Sequence, residues 1–282
     1  MAESRDRQGG PPPSGVAQRV GLRQSLRREL ALRYYEYINQ LLGGNPIRFL
    51  NFGFAEPGPS RLRLAPHEEE DRIFYELYNR VVAGVPLRGR RVLEISCGRG
   101  GGAWFVASRF APAGVLAIDR SPAAIAYCQE TYRQARLRFA VGDAEALDLP
   151  PQSFDVVLSV EASHVYGSGD RFLAEVHQVL RSGGSLLLAD YRPRRRVGAW
   201  EDQFRKAGFR LDVKEEISAQ VLLSLERSSE RRIRLIRKWA PAALVWFFTA
   251  FSGARGSRNY RRIQRGEFVY LRYRLRKVRP GR

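Results

Sequence analysis

The stretch Arg91-Val92-Leu93-Glu94-Ile95-Ser96-Cys97-Gly98-Arg99-Gly100-Gly101-Gly102 decides the fold of this chain. It opens as a short apolar strand and ends in glycines that suit a tight turn into a helix. Glycines let a ligand approach the backbone closely, and amides at a helix start attract electron-rich groups. The stretch therefore predicts a ligand-binding loop, although a glycine-rich turn used only for packing has the same pattern.

Strands and helices alternate after this loop. Further strands are predicted over 114–119, 137–143, 154–162, 184–191, 209–216 and 267–278. Helices are predicted from Ser121, over 170–181 and over 197–207. Such repeated units predict an α/β fold whose core is a doubly wound, Rossmann-like seven-stranded sheet, mostly parallel.

Composition and pattern divide the chain into five segments. Residues 1–18 are rich in glycine, proline and charge, which predicts a disordered tail. We expect an N-terminal helical lid over 19–66, a cofactor-binding core over 67–217, a helical cap insertion over 218–262, and over 263–282 a last strand that completes the sheet. The cap is expected to pack over the carboxyl edge of the sheet, where ligands bind in such folds.

The composition excludes several classes of protein. Of the 282 residues 44% are hydrophobic, which excludes global disorder. With 48 basic residues against 29 acidic ones, the net charge is +19, and such a surface attracts nucleic acid, acidic lipid or acidic substrates. Two cysteines, Cys97 and Cys128, make neither a disulfide framework nor a zinc pattern. The longest apolar run, 242–251, is too short to span a bilayer, and the start of the chain has no apolar targeting segment, so we expect a cytoplasmic protein.

Acidic residues or small loops follow three successive strands. Glu94 lies in the first strand, Asp119 ends the second 25 residues later, and Gly142-Asp143-Ala144 ends the third. An acid about 20 residues after a glycine-rich loop typically binds ribose hydroxyls. A carboxylate at the third strand can accept from an adenine amino group, while nearby amides meet the ring nitrogens. Together these positions predict a nucleoside site at one edge of the sheet.

Four segments carry a family resemblance. They are VLEISCGRGGG (92–102), AIDRSP (117–122), VGDAEALDLPPQSFDVVLSVEA (141–162) and VLRSGGSLLLAD (179–190). In order and spacing, over residues 90–217, they resemble the motifs of class I S-adenosylmethionine-dependent methyltransferases. Within that family they are most similar to actinobacterial small-molecule and lipid methyltransferases of the phthiotriol type.

The resemblance implies roles for the first loop. Glu94 would organise the loop and bind the methionine amine of the cofactor. Cys97 and Gly98 would lie along the cofactor, and Gly100 would permit its close approach. Ser96 stands where the family usually has a glycine. A small residue should still fit there, so only the path of the loop is in question.

The resemblance also implies roles for later strand ends. Asp119 would bind the ribose hydroxyls, and Arg120 would flank the adenine. Asp143 and Ala144, preceded by Gly142, would hold the adenine edge, and Glu161 would lie beside the methionine portion. The rival cofactor is a nicotinamide dinucleotide, but its fingerprint needs a tighter glycine spacing and leaves the third strand end without a role.

His164 is the candidate catalytic base. It follows the fourth strand, an imidazole titrates near neutral pH, and similar natural-product O-methyltransferases use a histidine in this loop. The alternative is a loop histidine that hydrogen-bonds to the backbone or shapes the pocket. Asp190 and Tyr191 either line the pocket or serve packing, and because Asp190 alone makes no magnesium site, we predict no metal.

Aromatic residues mark the lid and the cap. In the lid they either fold over the cofactor or pack in the core: Tyr34, Tyr35, Tyr37, Phe52 and Phe54. In the cap they form either an apolar cover for the substrate or a surface that only packs on the sheet: Trp239, Trp246, Phe247, Phe248 and Phe251. An apolar patch beside arginines could also rest on an anionic membrane. The arginines at 192–196 and the basic cluster from Arg227 to Lys238 are interpreted as solvated faces.

These observations favour an enzyme that methylates a hydrophobic natural product or lipid-like small molecule. O-methylation is favoured over C-methylation because of His164. An RNA methyltransferase that uses the basic surface is an alternative, but no RNA-binding module is present, so we expect no nucleic-acid partner. A non-catalytic binding protein of the same fold is a third hypothesis, and a homo-oligomer is left open.

Overall fold

The computed structural model describes residues 29–30 and 32–278, and it contains one seven-stranded sheet. The strands are β1 (Arg91–Ile95), β2 (Gly114–Asp119), β3 (Leu137–Val141), β4 (Phe154–Val160), β5 (Leu180–Pro193), β6 (Phe209–Glu216) and β7 (Phe268–Lys277). Their order is β3-β2-β1-β4-β5-β7-β6, and only β7 runs antiparallel to its neighbours. The predicted doubly wound sheet is confirmed.

Helices flank this sheet. Helix α1 covers the described residues 32–42. The others are α2 (Arg72–Val82), α3 (Gly101–Arg109), α4 (Pro122–Thr131), α5 (Gly169–Val179), α6 (Val197–Lys206), α7 (Ser218–Trp239), α8 (Val245–Phe251) and α9 (Arg258–Gln264). Helix α4 begins as predicted, because the Ser121 hydroxyl accepts a hydrogen bond from the Ala124 amide and Pro122 occupies the first turn.

The central strands are buried on both faces. Val92 of β1 packs in one hydrophobic cluster, and Leu93 and Ile95 pack in a second one. This explains the nearly continuous apolar run in the sequence. Between β1 and β4 the strand order reverses, so the loops after these strands diverge and leave a crevice at the carboxyl edge.

Two segments lie over that edge. We use "lid" for α1 with the loop 43–65, and "cap" for residues 218–262. The cap contacts the lid directly, since the Ser224 hydroxyl of α7 donates to the Phe52 carbonyl. The predicted tail, residues 1–18, and the start of the predicted lid lie outside the described residues.

Some strand ends differ from the prediction. Strand β3 ends at Val141, because the Asp143 side chain accepts from the Glu145 amide and turns the chain. Strand β4 ends at Val160, since Glu161 adopts a positive φ of 51°. Strand β5 begins at Leu180, four residues before the predicted start, where Leu180 pairs with Phe154.

Candidate active site

Glu94 is the most deeply buried acid of the crevice. Its side chain lies at the end of β1, and one oxygen accepts a hydrogen bond of 2.6 Å from the Tyr78 hydroxyl. The other oxygen, Oε2, is buried and has no hydrogen-bond partner among the described residues. Burial raises the pKa of Glu94 to about 8. Because an unpaired buried carboxylate oxygen is costly, this atom is suited to a cationic or hydrogen-bonding ligand group.

The loop after β1 takes the conformation its glycines allow. Ser96 has a positive φ of 58°, the conformation a glycine adopts easily, and its hydroxyl lies 2.9 Å from the Tyr166 hydroxyl. Gly98 has a φ of 53°, and a Cβ there would meet nothing within 4 Å, so its open side can face a ligand. A Cβ on Gly100 would lie 2.8 Å from Cys128, Phe139 and Tyr132, so this glycine is required by packing inside the protein.

Asp119 joins two strand ends. Its carboxylate accepts 2.8 and 2.9 Å hydrogen bonds from the Gly98 and Ser121 amides, one on each oxygen. Burial raises its pKa, and the amides oppose that shift. Each oxygen keeps a lone pair for a ligand hydroxyl. Beside it, Arg120 lies 3.6 Å from Asp143 in an ion pair, which brings together the two residues predicted around an adenine.

The other predicted residues of this edge lie where the strands end. The Gly142 amide donates to the Asp119 carbonyl at 3.0 Å, which holds the third strand end beside the second. Ala144 is buried. Cys97 is buried too, and its amide donates to the Ile118 carbonyl at 2.9 Å, which places the glycine loop against β2.

Glu161 connects the sheet edge to the lid. One of its oxygens accepts from the Phe52 amide at 2.7 Å and from the Tyr270 hydroxyl at 2.8 Å. Burial raises the pKa of Glu161 to about 7, although both donors oppose the shift. The acid therefore positions the lid loop against β7.

His164 belongs to a chain of three side chains. Its Nδ1 lies 2.8 Å from Asp190 Oδ1, and its Nε2 lies 3.0 Å from the Tyr191 hydroxyl. Burial acts to raise the pKa of Asp190, but His164, Arg192 and Ser163 together hold that pKa below the usual range. A carboxylate at Nδ1 selects the tautomer whose Nε2 accepts, so the phenol of Tyr191 donates to Nε2.

Sequence reasoning missed the residues that hold the lid in place. Arg99 is buried, and its guanidinium donates to the carbonyls of Gly43, Asn45 and Ile47 at 2.7 to 2.9 Å. Its guanidinium carbon also lies 3.5 Å from the centre of the Tyr127 ring. A second attachment runs from the Ser121 hydroxyl to Glu36 of α1. The sequence shows only an arginine inside a glycine loop, and this pattern does not predict hydrogen bonds to distant lid carbonyls.

Two arginines correct the expectation of solvated charge. Arg232 is only partly exposed and donates to the carbonyls of Asn51 and Phe52, each at 3.0 Å. Burial lowers its pKa to about 10. Arg192 is also partly buried, and it lies 4.2 Å from the centre of the Trp200 ring. Arg232 therefore holds the lid loop, whereas Arg192 donates to the Ser163 hydroxyl at 2.9 Å, beside Asp190.

The lid aromatics divide between two surroundings. Phe52 is buried and stacks on Tyr191 with ring centres 5.2 Å apart, so it reaches the site. Tyr34 packs instead on Phe247 and Phe248 of the cap, at 5.8 and 6.0 Å. Tyr35 contacts the Tyr34 ring edge-on, with ring centres 5.5 Å apart, and burial raises its pKa. Among the described residues no group of three or more metal-ligating side chains gathers.

Known proteins share sequence similarity with this chain. A methyltransferase domain model matches residues 92–184. A phthiotriol/phenolphthiotriol dimycocerosates methyltransferase of Mycobacterium leprae (strain TN) is 38% identical over 240 residues, 85% of this chain and 89% of the relative. A fatty-acid O-methyltransferase of Mycolicibacterium smegmatis is 32% identical over 273 residues, 97% of this chain and 95% of the relative.

A solved structure shares the fold at low identity. It is a geranyl diphosphate C-methyltransferase from Streptomyces coelicolor A3(2), in complex with Mg²⁺, geranyl diphosphate and S-adenosyl-L-homocysteine. It has a TM-score of 0.62 and 12% identity, and the match covers 89% of this chain and 98% of that one. At this identity the likeness shows the fold alone.

The residues present fit S-adenosylmethionine as the cofactor. The unpaired Oε2 of Glu94 suits the methionine amine, the open side of Gly98 suits close approach, and the free lone pairs of Asp119 suit a ribose. The extent of identity with the mycobacterial enzymes agrees with this fit. The chain belongs to the S-adenosylmethionine-dependent methyltransferases, and it is an enzyme of that family.

Proposed function

We propose that this enzyme methylates a hydroxyl oxygen of a long-chain, lipid-like acceptor. S-adenosylmethionine, when bound, supplies a methyl group made electrophilic by its sulfonium. The chain's own residues bind the acceptor, exclude water and take up its proton. The observation that carries the proposal is the hydrogen-bonded chain from Asp190 through His164 to Tyr191.

The hydrogen-bonded side chains Asp190, His164 and Tyr191 have the properties of a general base. Asp190 is buried, and its interactions with His164, Arg192 and Ser163 keep its pKa low and the carboxylate ionised. A carboxylate at Nδ1 holds the ring in one orientation and stabilises the imidazolium that forms when Nε2 takes a proton. An alcohol holds its proton tightly and needs such a base, whereas a fatty acid is already ionised near neutral pH. The arrangement therefore favours a hydroxyl acceptor over a carboxyl acceptor.

Tyr191 contacts both the base and the lid, since its hydroxyl meets His164 and its ring stacks on Phe52. Burial raises the pKa of its phenol well above the usual value, so the hydroxyl stays protonated and donates to Nε2. Its oxygen keeps lone pairs that can accept from an acceptor hydroxyl. In this proposal the acceptor proton passes to Tyr191 as the phenol proton passes to His164.

The surroundings of Tyr191 support an apolar acceptor. Its ring stacks between Phe52 and Phe268, with ring centres 5.2 and 5.8 Å away. The two mycobacterial relatives are named for phthiotriol dimycocerosates and for fatty acids, which are lipid-like. A lipid-like acceptor that carries a hydroxyl agrees with both observations.

Methyl transfer from isotope-labelled S-adenosylmethionine tests the proposal. The acceptors are a long-chain diol and a fatty acid of equal chain length. We expect a methyl ether from the diol, and His164→Ala should slow ether formation by roughly 10²–10⁴-fold. Tyr191→Phe should slow it as well, while any methyl ester formed from the fatty acid should be spared because that reaction needs no base. A label on carbon, or full ether formation by His164→Ala, would contradict O-methylation by this base.

A further inference from the structure

Exposed apolar side chains gather where the lid meets the cap. We use "lid–cap face" for Leu30, Tyr37, Trp246 and Phe251, of which Trp246 is 70% exposed. Among the described residues, the exposed aromatic side chains are Tyr37, Trp246 and Phe251, and all three belong to this face. Such clustering on a protein surface marks an interaction site more often than scattered single residues do.

Ring contacts make the face continuous across α1 and α8. Tyr34 and Tyr37 lie on one side of α1, and Leu30, just before α1, stands at the same helical spacing. The Tyr34 ring lies 5.8 Å from that of Phe247. The Phe247 ring in turn lies 5.8 Å from Trp246 and 5.1 Å from Phe251. The two helices therefore present one apolar surface.

Positive charge surrounds this surface. Between residues 227 and 265 the sequence has 11 basic residues and one acid, Glu230. Arg237 and Lys238 end α7 just before the aromatic segment, and Arg255 and Arg258 follow it. All four are exposed, and none has an ion-pair partner in the part of the chain that the structure describes. Their charge is free to meet an anionic partner.

We propose that the lid–cap face docks the enzyme on an anionic lipid surface. Tryptophan and other aromatic side chains settle at the level of lipid headgroups, and nearby arginine and lysine attract acidic headgroups. No helix in the described residues is long and apolar enough to cross a bilayer, so docking is peripheral.

This docking also serves the proposed function, on which this step rests. The lid, which carries part of this face, also carries Phe52, which stacks on Tyr191 in the site. A long-chain acceptor held in a bilayer would then lie beside the segments that cover the crevice. The enzyme could withdraw it without passing it through water.

Vesicle sedimentation tests the proposal and needs no acceptor. The full-length protein is mixed with vesicles of phosphatidylcholine alone or with added phosphatidylglycerol. We expect binding to the anionic vesicles and little binding to the neutral ones. The double variant Trp246→Ala, Phe251→Ala should lower the partition coefficient by on the order of tenfold. Leu211→Ala, which removes an exposed apolar side chain on β6, is the matched control and should bind as the wild type does.

A second pair of variants separates this face from general charge attraction. Arg237→Glu with Lys238→Glu should lower anionic binding on the order of tenfold or more. Arg88→Glu with Lys206→Glu makes the same charge change at exposed sites elsewhere and should have a small effect. Equal losses in both pairs, or unchanged binding of the aromatic variant, would overturn the proposal. If the protein does not bind vesicles, two other results would also overturn the proposal. One is a dimer that the aromatic variant dissociates, and the other is binding of single-stranded RNA that depends on Trp246.

The result is independent of the methyl-transfer assay. Each variant is also tested for S-adenosylmethionine binding by calorimetry, which should be unchanged because these side chains do not reach the crevice. A protein that makes the methyl ether but ignores vesicles would refute docking and leave the proposed reaction standing. The opposite outcome would support docking and refute the reaction.

Discussion

Glu94 is the residue whose protonation state should govern cofactor binding. Burial raises its pKa to about 8, from an ordinary value of 4.5, and its second oxygen has no partner in the described structure. Folding therefore favours the protonated acid in the cofactor-free protein. The free energy of unfolding contributed by this group is full below pH 4.5 and falls as the pH rises toward 8.

Cofactor binding should show the opposite pH dependence. The methionine amine is cationic, so it favours ionised Glu94 and binding releases a proton. We expect the affinity for S-adenosylmethionine to rise between pH 6 and 8, by up to about tenfold per pH unit, and then to level off. Calorimetry across this range measures it. Glu94→Gln should bind weakly with a flat pH profile, and a flat profile in the wild type would contradict the amine assignment.

Asp119 offers a second test at the scale of one residue. Its two oxygens already accept hydrogen bonds from the Gly98 and Ser121 amides. Removal of the carboxylate should therefore disturb the glycine loop as well as any ribose contact. We expect Asp119→Ala to weaken S-adenosylmethionine binding by about 1.5–3 kcal/mol, which is typical for the loss of one hydrogen bond to a charged group. Unchanged affinity in calorimetry would remove the ribose role.

At the scale of elements, the lid is held to the sheet by a few polar contacts. Arg99 reaches three carbonyls between 43 and 47, Glu36 meets Ser121, and the Phe52 amide donates to Glu161. These contacts lie over the ends of β1, β2 and β4. The lid therefore covers the same strand ends that carry the predicted cofactor-binding residues.

Loss of Arg99 should loosen the lid. In Arg99→Ala three carbonyls lose a charged donor, and we expect roughly tenfold weaker S-adenosylmethionine binding. Trypsin should also cut faster after Arg48, within the lid loop. The control is Arg33→Ala, which removes an exposed arginine of α1 that pairs with Glu29. If Arg99→Ala and Arg33→Ala are cleaved equally slowly, Arg99 does not hold the lid.

At the scale of the whole molecule, one close contact joins the glycine loop to helix α2. A Cβ on Gly102 would lie within 1.9 to 2.3 Å of the Tyr78 ring and hydroxyl, and Tyr78 is the donor to Glu94. Packing thus couples the site to the core. Changes at this contact should affect both the stability of the fold and the hydrogen bond from Tyr78 to Glu94.

Gly102→Ala should therefore destabilise the protein. Overpacking of this kind costs about 1–3 kcal/mol, and for a chain of this size each kcal/mol lowers Tm by roughly 2–4 °C. Thermal unfolding followed by circular dichroism measures the shift. Gly198→Ala is the control, because its Cβ would meet nothing within 4 Å and alanine favours helix α6. A Tm of Gly102→Ala at or above that of the wild type would show that Tyr78 moves freely.

Much of the fold and of the cofactor edge follows from local pattern. The apolar runs at β1 and β2 predict buried strands, and Glu94 and Asp119 lie where those strands end. Parallel strands place their carboxyl ends at one edge, so residues far apart in sequence meet there without any knowledge of packing. Ser121 likewise predicts the start of α4 because its cap acts within three residues.

Such local patterns do not predict long-range contacts. Arg99 and the lid carbonyls are about 50 residues apart, and Arg232 and Phe52 are 180 apart. A guanidinium in the sequence looks the same whether it faces water or buried carbonyls, since its partners come from other segments. For the same reason His164 could be proposed as a base from its place after β4, but its pairing with Asp190 and Tyr191 depends on how β5 packs beside β4.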